Sequence, residues 1–420
     1  MKILVIGGGG REHAIIKKLA ESPKQPQLFC APGNGGISED AACVPFKAVD
    51  KDAAVDFAVK NQIDLVVVAP DDPLSIGMVD ALEAAGIRAF GPVAAAAQIE
   101  ASKVFSKTLM KKYGIPTADY EIFTDSAAAV AYLQRPQQKY PAVIKADGLA
   151  LGKGVIIASD FTAASEAVRG MLDDGIFGKS GSRVVIEEFM TGPEVTVLAF
   201  TDGKTVKPMV SSQDHKRAFD GDNGPNTGGM GAFSPSIHYT EEIAAVCMET
   251  IYKPTIAALA AEGIQYKGVL YFGLMLTPDG PRVVEYNSRF GDPETQCILP
   301  RLDTDLIDIF EAVIDERLAD IDICWKPEAA CCVVLASGGY PIKYRSGYEI
   351  SGIENARKTG TVVYHAGTKQ ENGKFYTAGG RVLGVTGMGA TLEAAIRKAY
   401  KGAAEISWTD FFYRKDIGRK

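Results

Sequence analysis

Val283-Val-Glu-Tyr-Asn-Ser-Arg-Phe-Gly-Asp-Pro-Glu294 concentrates side chains that could work on a charged small molecule. Glu285 and Asn287 stand two apart, so on a strand both leave the same face. A carboxylate beside an amide carbonyl offers hard oxygen ligands, which suit Mg²⁺ carrying nucleotide phosphates. Arg289, two residues further on, can clamp a carboxylate or phosphate through two parallel hydrogen bonds. The plainer alternative is a strand that leaves its sheet through a polar turn.

The elements that must position these groups can be read from pattern. Val283 and Val284 are β-branched and follow the turn signal Thr277-Pro-Asp-Gly280, and the apolar run 268–276 before it makes a hairpin partner. Upstream, strands at 141–146 and 155–158 flank Asp147-Gly-Leu-Ala-Leu-Gly-Lys-Gly154. A lysine among glycines can fold over phosphates because the backbone approaches closely. The spacing is not that of a P-loop, and a plain flexible hairpin is the alternative. Lys145 ends the first of those apolar strands, where an unpaired ammonium is costly, so a ligand there is expected. A helix at 161–172 and a strand at 183–188 complete the unit. Glu187-Glu-Phe-Met-Thr-Gly-Pro-Glu194 leads into a strand at 195–200. The polar, glycine-dense run 213–231 follows. A loop of that length inside a compact region is usually functional or disordered.

The N-terminus reads as strand, glycine turn and helix: Lys2-Ile-Leu-Val-Ile6, Gly7-Gly-Gly-Gly10, Arg11-Glu-His-Ala14. Backbone N–H groups at such a turn welcome an anion. The dinucleotide fingerprint fails, because Glu12 and His13 occupy the positions that need a small residue. The second strand also ends in Pro32-Gly-Asn-Gly-Gly36 instead of an acidic residue. A phosphate-binding or structural turn is therefore expected, with a nicotinamide-dependent oxidoreductase as the losing alternative. Alternation continues through a helix at 52–61, a strand at 64–69 ending in Pro70-Asp-Asp-Pro73, a helix at 75–85 and a short strand at 87–90. Short strands near 330–336, 361–366 and 380–386, then a helix at 391–404, follow the last glycine-rich stretch. His13 and His215 read as packing residues and not as bases.

Composition sets outer bounds. The 420 residues allow roughly three domains. Charged residues make up 23% and hydrophobic ones 46%, an ordinary globular balance. A net charge of −7 argues against a nucleic-acid partner. The seven cysteines form no C-x-x-C pair, and with four histidines no zinc cluster is expected. Most of the cysteines sit in apolar runs, which predicts buried, reduced thiols. The N-terminus lacks the pattern of a signal peptide, and no run approaches the roughly 18 apolar residues of a membrane span. A cytoplasmic protein without a membrane partner is expected.

The glycine-rich Gly7-Gly-Gly-Gly-Arg-Glu-His-Ala14, Pro32–36, 147–154, Gln213-Asp-His-Lys-Arg217, Pro225-Asn-Thr-Gly-Gly-Met-Gly231, Asn287–294 and Arg414-Lys-Asp-Ile-Gly418 occur in one order along the chain. Together they closely resemble the phosphoribosylamine–glycine ligase family, ATP-grasp enzymes of purine synthesis, over essentially the whole length. The resemblance implies a multidomain α/β and α+β fold: an N-terminal open parallel α/β domain (1–101), a two-lobed ATP-grasp domain (102–325, lid about 121–188) and a small mixed C-terminal domain (326–420). It implies ATP and Mg²⁺, with Mn²⁺ as a substitute, glycine and 5-phosphoribosylamine as substrates, and a monomer or weak oligomer.

Site roles follow only from that resemblance. Lys103 and Lys145 would contact ATP, and Lys153 with Gly152 and Gly154 would cover its β- and γ-phosphates as a lid. Glu187, Glu188 and Phe189 would bracket adenine, and Glu194 would hold the ribose. Glu285 and Asn287 would ligate the metal. Arg289, Asp214 and Lys216 would face glycine and the transferring phosphoryl, making these and Lys153 the catalytic set. Gly8, Gly9, Gly10, Asn34, Gly36, Asp71 and Asp292, with Arg289, would hold the substrates. The chain departs from the family pattern at Ala69-Pro70-Asp71, where a glutamate is expected, and, unlike many other ATP-grasp ligases, it has no metal carboxylate in 268–276. Glu285 would then be the only carboxylate ligand. Competing readings are another ATP-grasp ligase of purine synthesis and a nucleotide-binding regulator without turnover.

Overall fold

The computed structural model describes residues 1–149 and 154–419. Gly152 and Lys153 of the expected lid loop lie outside the described residues.

The N-terminal segment builds a five-stranded parallel sheet with Lys2–Gly7 at its centre. Gln27–Pro32 and Ala42–Cys43 lie on one side, and Leu65–Val68 and Ala89–Phe90 on the other. Ile3, Leu4, Val5 and Ile6 are buried on both faces, which explains a continuous apolar run in place of alternation. The strand order reverses at this central strand, and the turns after Gly7, Pro32 and Val68 open at its carboxyl edge, where such sheets hold ligands. The expected polar turn at 70–73 forms the short helix Asp71–Ser75. Gly77, at φ +83°, then starts a second helix, Met78–Ala84, where one helix was expected.

Two four-stranded sheets follow, both antiparallel. Tyr120–Phe123, Val184–Glu188, Ala142–Ala146 and Val155–Ala158 lie side by side, with helices Ser126–Leu133 and Phe161–Leu172 sharing their core. The other sheet runs Val206–Pro208, Glu194–Thr201, Gly268–Thr277, Gly280–Asn287. Against it lies the helix Glu241–Ala261, interrupted by a π-turn at Met248–Tyr252. This helix corrects the expectation that nothing approaches a membrane span, since its length and mean hydropathy of 1.3 suffice. Its Cys247, Ile251, Tyr252, Ile256 and Leu259 belong to the core of the sheet.

The run 213–231 is less loop-like than its glycines suggested. Gln213–Asp214 and Gly231–Ser234 are strands of a six-stranded sheet completed by Ala329–Ser337, Arg381–Gly389, Val362–His365 and Phe411–Phe412. Residues some hundred positions apart therefore share one sheet. Every cysteine is free; five are buried, as expected, whereas Cys43 and Cys324 are exposed.

Candidate active site

In the hairpin that opened the sequence reading, Gly273 pairs with Glu285 but Leu274 pairs with Val283, so Val284 is an extra residue. Such a bulge re-aims side chains and leaves a carbonyl off the ladder. Lys145 Nζ donates to that Val284 carbonyl at 3.2 Å. Beyond the bulge Glu285 projects over Gly273, whose missing side chain makes room: a Cβ there would lie 3.2 Å from Glu285 Cγ. Burial pushes the Glu285 carboxyl up, but Lys216, Lys145, Lys103 and Arg289 outweigh it and hold Glu285 below its ordinary value.

Lys216 enters from the 213–231 run, its Nζ 3.3 Å from Glu194 Oε2 and 3.8 Å from Glu285 Oε1. Asp214 shares this corner. Burial raises its carboxyl well above the usual range; Lys216 opposes this, and Glu294, Glu194 and Glu285 add to it. Glu294 is also raised by burial and accepts the Tyr271 hydroxyl at 3.1 Å.

Arg289 is already engaged. Its Nη2 lies 2.8 Å from Glu100 Oε1 and 3.3 Å from Asn287 Oδ1, and its Nη1 donates to the Phe290 carbonyl at 3.3 Å. Its Nε is buried without a hydrogen-bond partner among the described residues. With Nη2 committed to Glu100 and Asn287, Arg289 does not present both Nη groups as the two-pronged clamp its residue type suggested. Glu100, which sequence reasoning missed, also accepts from the Ser288 amide at 2.7 Å and the Ser288 hydroxyl at 2.9 Å. It lies in the last turn of the alanine-rich helix Ala94–Ala101, where no local pattern marks it.

On the lobe of the 142–188 sheet, Asp147 Oδ1 accepts from Ser102 Oγ at 3.0 Å and the Val104 amide at 3.1 Å. That fixes the start of helix Lys103–Tyr113, where Lys103 Nζ donates to the Gly148 carbonyl at 2.9 Å. Glu187 Oε2 meets Lys145 Nζ at 3.0 Å and Lys107 Nζ at 3.1 Å. Lys145 is thus paired within the protein, which answers the burial argument made for it. Glu188, the next residue on the strand, faces away and pairs with Arg282 at 2.6 Å. Phe189 is half exposed, and Gly154 leads into the strand Val155–Ala158.

The N-terminal rim closes the opposite side. Asn34 donates to the Gly8 carbonyl at 2.9 Å and the His365 carbonyl at 2.8 Å, and accepts from the Gly36 and Ile37 amides. Its side chain therefore fastens loops, and Gly36 packs on the His365 ring. Gly9 N donates to Glu12 Oε2 at 2.5 Å, and Gly10 lies against Gln296. Asp71 is half-buried yet held below its ordinary value by Arg289 and Arg11, so the shorter carboxylate still lies in a cationic field. Asp292 accepts from Gln296 at 2.7 Å and from Arg381 at 3.1 Å. Neither histidine is a placed base: His13 is buried against Asp40 at 3.0 Å, and His215 Nε2 accepts the Gly418 amide at 3.0 Å.

Family models described as phosphoribosylglycinamide synthetase N domain, ATP-grasp (A) domain and C domain match residues 1–100, 101–295 and 330–420. A phosphoribosylamine–glycine ligase of Clostridium acetobutylicum is 47% identical, with all of both chains covered. The chain belongs to the phosphoribosylglycinamide synthetase family. A crystal structure of the phosphoribosylamine–glycine ligase of Thermotoga maritima matches this family member with a TM-score of 0.86 at 32% identity, covering all of both chains. The trifunctional purine biosynthetic protein adenosine-3 of Gallus gallus is 49% identical over 99% of this chain and 42% of its own length. The biotin carboxylase of Campylobacter jejuni, 14% identical with a TM-score of 0.73 over 98% of this chain and 92% of its own, shares the fold.

For an ATP-grasp ligase the donor set at the hairpin is suited to Mg²⁺, because an ionised Glu285 and the Asn287 amide are both hard oxygen ligands. Among the described residues no three His, Cys, Asp or Glu side chains converge on a cation position, so phosphate oxygens and water would complete the shell. The residues missed from sequence are Glu100, Lys107, Glu294 and Arg381. Lys107 had the one available signal, lying one helical turn after Lys103.

Proposed function

We propose that the protein joins glycine to 5-phosphoribosylamine at the expense of ATP, through glycyl phosphate, in purine synthesis. The observation that carries this reading is the convergence of Lys103, Lys145, Lys216 and Arg289 on Glu285 beside Asn287. Phosphoryl transfer needs such positioning and charge neutralisation more than a protein nucleophile.

Glycine's carboxylate is a poor electrophile. Attack of its oxygen on the γ-phosphorus breaks the bond to ADP and forms an acyl phosphate. The amine nitrogen then attacks the glycyl carbonyl carbon, loses a proton, and phosphate leaves. Lys103 and Lys145 would steady the ATP phosphates, with Lys153, Gly152 and Gly154 closing above them. Glu187 and the backbone at Glu188 and Phe189 would take adenine, and Glu194 the ribose. Mg²⁺ on Glu285 and Asn287, or Mn²⁺ in its place, would neutralise charge on the phosphates. Arg289 Nε and Lys216 would meet the transferring group, and Asp214 the glycine. The turns at Gly8, Gly9, Gly10 and Gly36, shaped by Asn34, would hold the phosphoribosylamine with Asp71 and Asp292. A cytoplasmic monomer or weak oligomer completes the reading.

ADP release measured with ATP, Mg²⁺, glycine and phosphoribosylamine tests it. Release should require both glycine and the amine, yield glycinamide ribonucleotide by mass, and stop on chelation of the metal. Release with another acid or amine in place of this pair would leave ATP-grasp chemistry and remove the substrate assignment.

A further inference from the structure

Two buried lysines and one carboxylate, Lys107, Lys145 and Glu187, meet at the position assigned above to adenine. Lys107, Lys145 and Glu187 have side chains 3%, 6% and 3% exposed. Both ammonium groups bind the same oxygen, Glu187 Oε2, at 3.1 and 3.0 Å. The other oxygen, Oε1, is buried with no hydrogen-bond partner among the described residues. A bridge serving stability alone would spread the lysines over both oxygens, because a buried acceptor left unmade is costly. Lys107 is itself pinned, donating to Thr117 Oγ1 at 2.7 Å, while Lys145 also holds the Val284 carbonyl. Neither lysine is placed to swing over to Oε1 without giving up a second bond.

We propose that Lys107 is a positioning residue for nucleobase selection: by holding Glu187 through Oε2 it keeps Oε1 bare as an acceptor for the exocyclic 6-amine of an adenine nucleotide. A guanine nucleotide presents an oxygen at that position, so two acceptors would face each other and the base is rejected. The inference rests on the reading above that Glu187 faces adenine.

Lys107 is also tunable. Burial lowers its pKa to about 8 despite Glu187, with Lys145 acting in the same direction and Glu188 opposing it. The Tyr120 ring lies 5.6 Å from Nζ, and Lys103 and Lys111 share its helix. Loss of its proton near the top of the neutral range would leave Glu187 Oε2 held by the Lys145 ammonium alone.

The test is steady-state turnover of the full chain with ATP and with GTP. Lys107→Met, which keeps length and removes charge, is expected to raise KM for ATP about tenfold with kcat within about twofold. The preference for ATP over GTP in kcat/KM should narrow about tenfold. A common loss for both nucleotides with an unchanged ratio would overturn the proposal. If that variant does not fold, the wild-type ratio carries the same information from about pH 7 to about pH 8.5, because titrations shared by both nucleotides cancel. The ratio should fall across that window, and a flat ratio overturns the proposal. A wild-type chain that releases no ADP with glycine and the amine would sink the functional reading instead. The ratio of ATP to GTP dissociation constants in wild type and Lys107→Met then decides the Lys107 proposal by the same criterion.

Discussion

Residue identity at this site is set against stability. Asp214 binds its proton more tightly in the folded chain than a free aspartate does, because burial and neighbouring carboxylates outweigh Lys216. Its raised pKa means that protonation favours the folded state, so the contribution is full at low pH. It is lost as the pH rises from the usual carboxylate range through the raised value. Asp214→Asn should therefore raise the thermal midpoint of the ligand-free protein by about 2 °C or more at about pH 8, with a clearly smaller rise at about pH 5. The same variant should lower kcat/KM for glycine at least about tenfold. Equal thermal shifts at both pH values would show that Asp214 is ionised throughout, against the burial argument.

At the scale of elements, the site depends on short irregularities placed on rigid strands. The bulge at Val284 turns Glu285 and Asn287 into the site and gives Lys145 its carbonyl. The strand Arg381–Gly389 supplies a residue from the far end of the chain. Arg381 Nη1 donates to the Gly228 carbonyl at 2.6 Å and the Asp292 carbonyl at 2.7 Å, and Nη2 to Asp292 Oδ2 at 3.1 Å. One guanidinium thus ties the glycine-rich run to the turn that follows Arg289. A Cβ on Gly228 would come 3.0 Å from its Cζ, so the turn closes over Arg381 because glycine stands there. Arg381→Ala is expected to lower turnover about tenfold or more, leave the thermal shift given by ATP unchanged, and be partly rescued by added guanidinium. Loss of the ATP response as well would mean general unfolding and not a misplaced loop.

Across the whole molecule, the C-terminus is built into the site it follows. Arg414, fully buried, donates to the Arg217 carbonyl at 3.0 Å and pairs with Asp222 at 2.9 Å and Asp416 at 2.7 Å. Gly418 N reaches His215 at 3.0 Å. Residues 411–412 add a strand beside Ala329–Ser337. Deleting 413–420 should make the 213–231 run sensitive to limited proteolysis and abolish glycine-dependent ADP release, while the ATP-induced thermal shift persists. Unchanged protease resistance would show that this run holds itself.

Local pattern was enough for much of this protein. The apolar run Ile3–Ile6, the helix at 161–172 and the hairpin around Thr277-Pro-Asp-Gly280 are legible because each element's periodicity or turn chemistry is contained within it. Glycine turns, the lysine at a strand end and the Glu285–Asn287 spacing marked the candidate site for the same reason, and the ordered set of motifs pointed to the family. What pairs with those groups was not legible. Glu100 reaches Arg289 across 189 positions, Arg381 reaches Gly228 across 153, and the strand Gly231–Ser234 finds its partner at Ala329–Ser337. Such partners leave no spacing in the sequence, because hydrogen-bonding and burial are satisfied by whatever the packed chain brings near. Sequence decided which chemistry is available here; tertiary structure decided which donors and acceptors are already taken and which, like Arg289 Nε and Glu187 Oε1, are left open among the described residues.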